Sequence, residues 1–253
     1  MSNFEAFKGK MVAAGMGDAA IRAFQRNYES LLRNETGLIP EASISPADNI
    51  VSFDEIKANT SPNTDLLSQA VVIKLNGGLG TGMGLQGPKS MLPIRDGVNF
   101  IDLMVRQILD LRKSSGANVR LLLMNSFSTS DDTLGHLKKY ASAGLSEANE
   151  VELMQNQIPK IDAETLLPVS WPADGDMEWC PPGHGDLFPA LVGSGWLDRL
   201  LDEGVKYAFV SNSDNLGAVL DPALLDYFAK SGAPFLMEVT RPPAAGRQEG
   251  RLP

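Results

Sequence analysis

Helix-like spacing opens the chain. Ile21, Phe24, Tyr28, Leu31 and Leu32 recur three and four residues apart on one side of a helix that Asp18 is placed to cap. Gly37 and Pro40 end that pattern. Ile39 to Pro62 then carries few periodic cues, which predicts an extended connector. The pattern changes at Ala70. Ala70-Val-Val-Ile-Lys-Leu75 is short, apolar and rich in β-branched residues, as a strand buried on both faces requires. A glycine-rich stretch follows to Ser90. Asn99 next precedes Ile101, Met104, Val105, Ile108 and Leu109, a capped amphipathic helix.

Strand and helix patterns alternate from there. Strands are predicted at Val119 to Met124, Val151 to Met154, Tyr207 to Val210 and Phe235 to Val239. Helices are predicted at Asp131 to Tyr140, Trp196 to Leu201 and Pro222 to Lys230, and Trp171 to Pro189 reads as loop. Such alternation specifies an α/β fold, a mostly parallel central sheet with helices on both faces. The loops that follow the strands then gather at the carboxyl edge of the sheet. Every polar motif described below falls in one of those loops.

Composition narrows the function classes. Of 253 residues, 43% are hydrophobic and 21% charged, which is ordinary for a globular chain. The net charge of -9, with no basic cluster, argues against nucleic acid or an anionic membrane as partner. No apolar run is long enough to span a bilayer, and the opening residues lack the pattern of a signal peptide. The single cysteine, Cys180, permits no internal disulfide and points to the cytoplasm. Two histidines and one cysteine do not make an ordinary structural zinc site, so any metal would be a hard ion held by oxygen.

The glycine-rich stretch, Leu75-Asn-Gly-Gly-Leu-Gly-Thr-Gly-Met-Gly-Leu-Gln-Gly-Pro-Lys-Ser90, places six glycines between Gly77 and Gly87. Backbone without side chains can approach a ligand closely and aim N–H groups at phosphate oxygens. Lys89 ends the loop with a mobile point charge suited to a polyphosphate. The dinucleotide pattern G-x-G-x-x-G fails, because Met83 and Leu85 stand where its third glycine belongs. The P-loop pattern fits Gly82 and Gly87 but is interrupted by Pro88 before Lys89-Ser90. The loop is therefore a phosphate-type loop of neither standard kind, or else a ligand-free hinge.

Lys74-Leu-Asn-Gly-Gly-Leu-Gly-Thr-Gly-Met-Gly with Gly87-Pro-Lys-Ser90 resembles the signature of the UTP–glucose-1-phosphate uridylyltransferases, or UDP-glucose pyrophosphorylases, of the long, eukaryotic-like type. The related UDP-N-acetylhexosamine pyrophosphorylases carry Leu-Ala-Gly-Gly-Gln-Gly-Thr-Arg, and Asn76, Leu79 and Met83 depart from that branch. Four further segments are similar to the family. In Leu123-Met-Asn-Ser-Phe-Ser-Thr-Ser-Asp-Asp-Thr133, Asn125 and the hydroxyls would contact ligand or cap the next helix, and Ser130 and Asp131 fit the capping role better. Leu153-Met-Gln-Asn-Gln-Ile-Pro-Lys160 resembles the segment whose glutamine reads uracil, here Gln155, with Gln157 an equal rival on sequence alone. A carboxamide offers the donor and acceptor that a pyrimidine edge needs. Cys180-Pro-Pro-Gly-His-Gly-Asp-Leu-Phe188 is similar to a family loop that would bring Gly183 to the base and His184 near the sugar phosphate or the nucleotide. Tyr207-Ala-Phe-Val-Ser-Asn-Ser-Asp-Asn-Leu-Gly217 runs from a strand into Asn212, Ser213 and Asp214. By resemblance Asp214 holds Mg²⁺ and Asn212 contacts ligand, while the same residues also suit a plain turn.

The resemblance implies a Rossmann-like nucleotide-diphospho-sugar transferase fold and a reaction of UTP with glucose 1-phosphate to give UDP-glucose and pyrophosphate. The sugar phosphate is already anionic and needs no general base, so catalysis would be positioning and charge neutralisation. Lys89 and Mg²⁺ would serve that task. The backbone of Leu75, Asn76, Gly77 and Gly78 would hold the nucleotide together with Ser213, Gln155 and Gly183 would select uracil, and His184 and Asn212 would face glucose 1-phosphate.

Residues 1–50 read as a helical segment, 51–240 as the nucleotide-binding domain and 241–253 as a tail unlike the family. Family members continue for a similar length again, which supplies a second catalytic lysine and a β-helical domain with oligomer contacts, so a homo-oligomer stays open for a complete protein. The Arg-, Pro- and Gly-rich tail raises the hypothesis of an out-of-frame end and a sheet incomplete at its carboxyl terminus. Resequencing the locus tests it; an in-frame stop in every isolate would sink it. Two other readings stand beside the main one: a pyrophosphorylase for another sugar 1-phosphate, and a nucleotide-binding fragment without turnover.

Overall fold

The computed structural model describes residues 3–48, 50–80, 84 and 87–240. The tail 241–253 and the template positions Gly82, Met83 and Leu85 lie outside the described residues. Helices α1 (Asn3–Ala13) and α2 (Asp18–Leu32) close on each other through Phe4, Phe7, Met11, Ile21, Phe24 and Tyr28. The Phe7 ring lies 5.1 Å from Phe24 and 4.8 Å from Tyr28. Two expectations fail here. Asp18 is the first helical residue, and the cap is Gly17 without a side-chain bond. Asp18 instead complements the helix dipole from the first turn. Leu31 and Leu32 continue the apolar stripe, but the cluster that covers it ends at Tyr28, and both are exposed.

The expected connector contains a helix, α3 (Phe53–Asn59). Its start is a capping box: Glu55 N–H donates to Ser52 Oγ at 3.1 Å, and Ser52 N–H donates to Glu55 Oε2 at 3.2 Å. The helix was legible as Ser-x-x-Glu but is too short to show a period. Strand β1 (Ala70–Asn76) follows, buried along almost its whole length. A small ribbon, β2 (Pro93–Arg95) with β3 (Val98–Asn99), turns through Asp96 and Gly97. Both turn residues have positive φ, the geometry that Asp-Gly adopts in tight hairpins. Asn99 and Asp102 then form the capping box of α4 (Phe100–Ser115).

The alternation continues through β4 (Arg120–Asn125), α5 (Ser130–Leu137), α6 (Ala148–Val151) and β5 (Glu152–Met154). A second ribbon pairs β6 (Ile158–Pro159) with β7 (Trp179–Cys180). It carries Ile158 and Trp179 against the α1–α2 cluster. The stretch 171–189, expected to be loop, thus holds β7 and the start of α7 (Leu187–Gly193). Helix α8 (Trp196–Asp202), β8 (Tyr207–Asn212) and α9 (Pro222–Ser231) complete the order. Asp221 caps α9 by accepting from the N–H groups of Ala223 and Leu224.

The central sheet has the order β5-β4-β1-β8, and every pairing is parallel. One face carries Ala70, Val72, Leu121 and Leu123 against α4, α5 and α9. The other carries Val71, Ile73, Leu122 and Met124 against α7 and α8. This is the expected α/β arrangement. The chain lays β4 and β5 to one side of β1 and returns to place β8 on the other. The switch point is therefore between β1 and β8, where loops diverge and leave a crevice at the carboxyl ends. The strand expected at Phe235 to Val239 is not formed. Phe235, Met237 and Val239 are largely exposed, and no described strand lies beside them to supply the hydrogen bonds a strand needs.

Candidate functional site

Strand β1 delivers the glycine-rich stretch to the crevice. Leu75 pairs in register with both Met124 and Asn212, so its backbone belongs to the sheet. Gly77 and Gly78 lie beyond the last paired position. The two ends of the loop are zipped together: Lys89 N–H donates to Gly78 O at 3.2 Å, and Gly80 N–H donates to Gly87 O at 3.3 Å. This closure brings Lys89 back beside the residues that open the loop. Its Nζ lies 3.7 Å from Asp214 Oδ2, with the two side chains 42% and 44% exposed. Ser213, next to Asp214, is tied down by its N–H, which donates to Leu75 O at 3.1 Å.

The loop differs from a P-loop in more than sequence. Lys89 and Ser90 sit in a single 3-10 turn, and Ser90 is fully buried, its hydroxyl without a hydrogen-bond partner among the described residues.

Gln155 stands on the other side of Gly77. It follows β5, its N–H donates to Asn125 O at 2.7 Å, and the residue is 4% exposed. Its Nε2 donates to Gly183 O at 2.7 Å. A Cβ at Gly77 would meet Gln155 Oε1 at 2.6 Å, so only glycine fits without displacing the carboxamide. Gly77, Gln155 and Gly183 are therefore one contact group. Gln157, the rival on sequence, is only partly buried and makes no side-chain hydrogen bond among the described residues. Gly183 has φ of 92°, which a residue with a Cβ rarely adopts. His184 follows it on an exposed 3-10 turn and is not hydrogen-bonded to the other candidates among the described residues. Asn212 likewise ends β8 with an exposed side chain.

Asn76 has a different place. Its Nδ2 donates to Asn125 Oδ1 at 2.7 Å and to Thr133 Oγ1 at 3.0 Å, all buried. Asn125 in turn donates to Glu152 Oε1 at 2.7 Å, and Ser130 Oγ donates to the same oxygen at 2.7 Å. Ser130 and Asp131 are thus not caps. Thr129 occupies the cap position of α5 without a side-chain cap bond, and Ser130 has been drawn to Glu152. The side chains of Asn76, Asn125 and Ser130 form the scaffold beneath the loop, leaving the Asn76 backbone as the part that borders the crevice.

Three supporting residues were not singled out from sequence. Ser126 Oγ donates to Gly77 O at 2.9 Å and fixes the first glycine. Asp186 is buried and accepts from Asn156 N–H at 2.7 Å and from Asn156 Nδ2 at 3.1 Å, which ties the Gln155 segment to the Gly183 turn. Burial raises the Asp186 pKa above the ordinary aspartate value, against the pull of the Asn156 bonds. The signal for it was present, as the last residue of Pro-Pro-Gly-His-Gly-Asp. Lys74 is the third: a charged residue inside a mostly apolar strand, buried to 3% exposure.

Asp214 is the carboxylate a hard cation would use here. Among the described residues no group of three or more histidine, cysteine, aspartate or glutamate side chains is arranged around a metal position. An exposed Asp214 at a strand end suits Mg²⁺, which takes one or two carboxylates and completes its shell with phosphates and water.

A parallel α/β sheet that gathers a zipped glycine loop, a lysine and a carboxylate at its switch point has the arrangement at which open α/β sheets place their ligands. The comparisons make the class specific. The family model for UTP–glucose-1-phosphate uridylyltransferase matches residues 21–252. The uridylyltransferase of Encephalitozoon cuniculi is 45% identical over 90% of this chain and 45% of its own length. The probable uridylyltransferase of Schizosaccharomyces pombe is 44% identical over 81% of this chain and 40% of its own. The UDP-glucose pyrophosphorylase of Leishmania major superposes with a TM-score of 0.85 at 42% identity, covering 91% of this chain and 48% of that one. The Trypanosoma brucei UDP-glucose phosphorylase gives 0.83 at 46% identity. The chain belongs to the UTP–glucose-1-phosphate uridylyltransferase family, and it spans about half the length of the relatives it matches. No helix among the described residues is long and apolar enough to cross a membrane.

Proposed function

We propose that the crevice between β1 and β8 binds UTP and serves uridylyl transfer to glucose 1-phosphate, giving UDP-glucose and pyrophosphate. The observation that carries this reading is the meeting of Lys89 and Asp214 across the switch point, 3.7 Å apart and both open to solvent. An exposed ion pair is held weakly and can be repartnered by a triphosphate and its cation. Lys89 then faces the phosphates, and Asp214 would hold Mg²⁺, which neutralises charge on them when bound. Gln155 would exchange its bond to the Gly183 carbonyl for the uracil edge, with Gly77 and Gly183 giving the base close backbone approach. The exposed His184 and Asn212 would face the sugar phosphate. Two anions must be brought into line, so positioning and charge neutralisation supply the rate enhancement, with no proton abstracted from the nucleophile. The net charge of -9 supports small-molecule substrates rather than nucleic acid, and the single free Cys180 supports a cytoplasmic setting.

Thermal unfolding tests the binding step. Mg²⁺ with UTP at about 100 times its dissociation constant is expected to add about 2.7 kcal/mol. Mg²⁺ with ATP should add much less, and Lys89→Ala should lose the UTP effect. Equal stabilisation by ATP would remove the uridine assignment, and no response to UTP would remove the site.

A second reading, nucleotide binding without turnover, has an observation of its own. Among the described residues strand β8 is the edge of the sheet, and Ala208, Val210 and Asn212 on one of its faces are exposed, so no described element walls the sugar side of the crevice. Release of pyrophosphate from UTP and glucose 1-phosphate separates the two readings.

A further inference from the structure

Lys74 lies in β1, three residues before Gly77. Its ammonium donates to Ser211 Oγ at 2.7 Å and to the carbonyl of Ala218 at 2.7 Å. Both acceptors are uncharged, and among the described residues no carboxylate pairs with it. An ammonium buried in this way is expensive to hold, and burial brings its pKa down to about 8. An apolar side chain at this inward position would pack at lower cost, so the lysine needs a reason beyond packing.

The two acceptors supply one. Ser211 and Ala218 are the shoulders of the segment that carries Asp214 at its tip. Between them the backbone turns through Asn215 N–H to Asn212 O at 3.2 Å and Ala218 N–H to Asn215 O at 3.3 Å. Gln107 of α4 adds a bond to Leu216 O at 2.9 Å. Beneath the second shoulder, packing is poor. A cavity of about 380 Å³ is lined by Lys74, Gln107, Met104, Ala218 and Leu220. Hydrogen bonds therefore do there what packing does elsewhere in the sheet.

We infer that Lys74 is a positioning residue for Asp214: its ammonium clasps both shoulders of the 211–218 loop and fixes where that carboxylate meets the cation of an incoming nucleotide. The link to the cation rests on the uridylyl reading above; the clasp itself does not. The test uses Lys74→Met, which keeps an apolar side chain of similar length, and Ser211→Ala, which releases one shoulder only. Hydrogen exchange of the ligand-free chain is followed in peptides over 212–218 and, as a control, over β4.

Exchange in 212–218 is expected to quicken at least tenfold in Lys74→Met and less in Ser211→Ala, with β4 unchanged. The Mg²⁺ concentration needed for half of the UTP-induced thermal shift is expected to rise about tenfold in Lys74→Met, while any UTP shift in EDTA stays within twofold. Unchanged exchange in 212–218 would overturn the clasp. Faster exchange with an unchanged Mg²⁺ requirement would leave Lys74 structural and overturn its role toward Asp214. A wild-type chain that ignores UTP, but whose loop still loosens in the variants, would remove the uridylyl reading and support the clasp. If Lys74→Met does not fold, Ser211→Ala decides by the same two measurements.

Discussion

The two flanks of β1 differ in kind. On the β4 side, Asn76, Asn125, Ser126, Thr129 and Thr133 are buried and joined by hydrogen bonds that reach Glu152. On the β8 side, Lys89, Asn212 and Asp214 are exposed, and the Lys89–Asp214 pair spans 3.7 Å. A buried polar group without a partner costs about 1–3 kcal/mol, whereas an exposed pair is worth about 0–1 kcal/mol. The β4 flank is thus a completed scaffold, whereas the side chains at the rim of the β8 flank, Lys89, Asn212 and Asp214, give up their present contacts at little cost. A binding site needs both: one side to hold the glycine loop still, and one side free to change partners.

Substitutions at the two flanks should therefore separate stability from binding. The largest loss of stability is expected for Asn125→Ala, which removes partners from both Asn76 and Glu152. Chemical denaturation should show a loss of about 2–3 kcal/mol. A change below about 0.5 kcal/mol would mean that the buried network is not holding the loop.

Acid should act next, at the helix that follows the glycine loop. Asp102, in the first turn of α4, opposes burial with bonds from Lys139, His136 and Tyr140, and these hold it well below the usual carboxylate range. Its ordinary value is 3.8, so as pH falls the unfolded chain takes up this proton before the folded one. The stability that the charged carboxylate contributes is complete above 3.8 and drains away as pH drops through the folded value. Stability measured from pH 6 to pH 2 should fall less steeply in Asp102→Asn than in the wild type; parallel curves would show that other carboxylates carry the acid limb.

Gly77→Ala lies on the boundary between the flanks. The new Cβ would stand 2.6 Å from Gln155 Oε1 and 3.4 Å from Ser126 Cβ. The carboxamide is the far end of a flexible side chain, so it should move and surrender its bond to Gly183 O at a cost of about 1 kcal/mol. UTP affinity should fall at least tenfold by calorimetry. Retained affinity would show that Gln155 is not the base reader.

Much of this organisation is legible in the residues. The run Ala70 to Leu75, the Asn99 cap and the glycine stretch fix β1, α4 and the loop between them, because local pattern and tertiary role agree there. Departures arise where long-range partners decide. Ser130 has the composition of a cap, but Glu152, 22 residues away, captures its hydroxyl. Phe235 to Val239 has the composition of a strand, but pairing is what makes a strand, and no described neighbour offers it. In the site, the motifs supply Gly77, Lys89, Gly183 and Asp214 as separate residues. Only the fold reveals that Gln155 touches two of them and that Asp186 and Ser126 hold the contact together. Lys74 was visible as a charge in an apolar strand, but its acceptors lie 137 and 144 residues further on.

Lys89→Ala should have the smallest effect on the ligand-free chain and the sharpest on the comparison. Both members of the Lys89–Asp214 pair are more than one-third exposed, so solvent screens most of their attraction. Loss of the pair should change stability by no more than about 0.5 kcal/mol in denaturant. The same substitution leaves the backbone zipper intact, because Gly78 O accepts from the Lys89 N–H and not from its side chain. The loop should keep its closure, and hydrogen exchange at Lys89 and Gly80 should match the wild type. Near-normal stability combined with loss of the UTP response would assign the ammonium to ligand rather than to fold. A large loss of stability would instead make the β8 flank a scaffold like its neighbour, and the division between the two sides of β1 would fall.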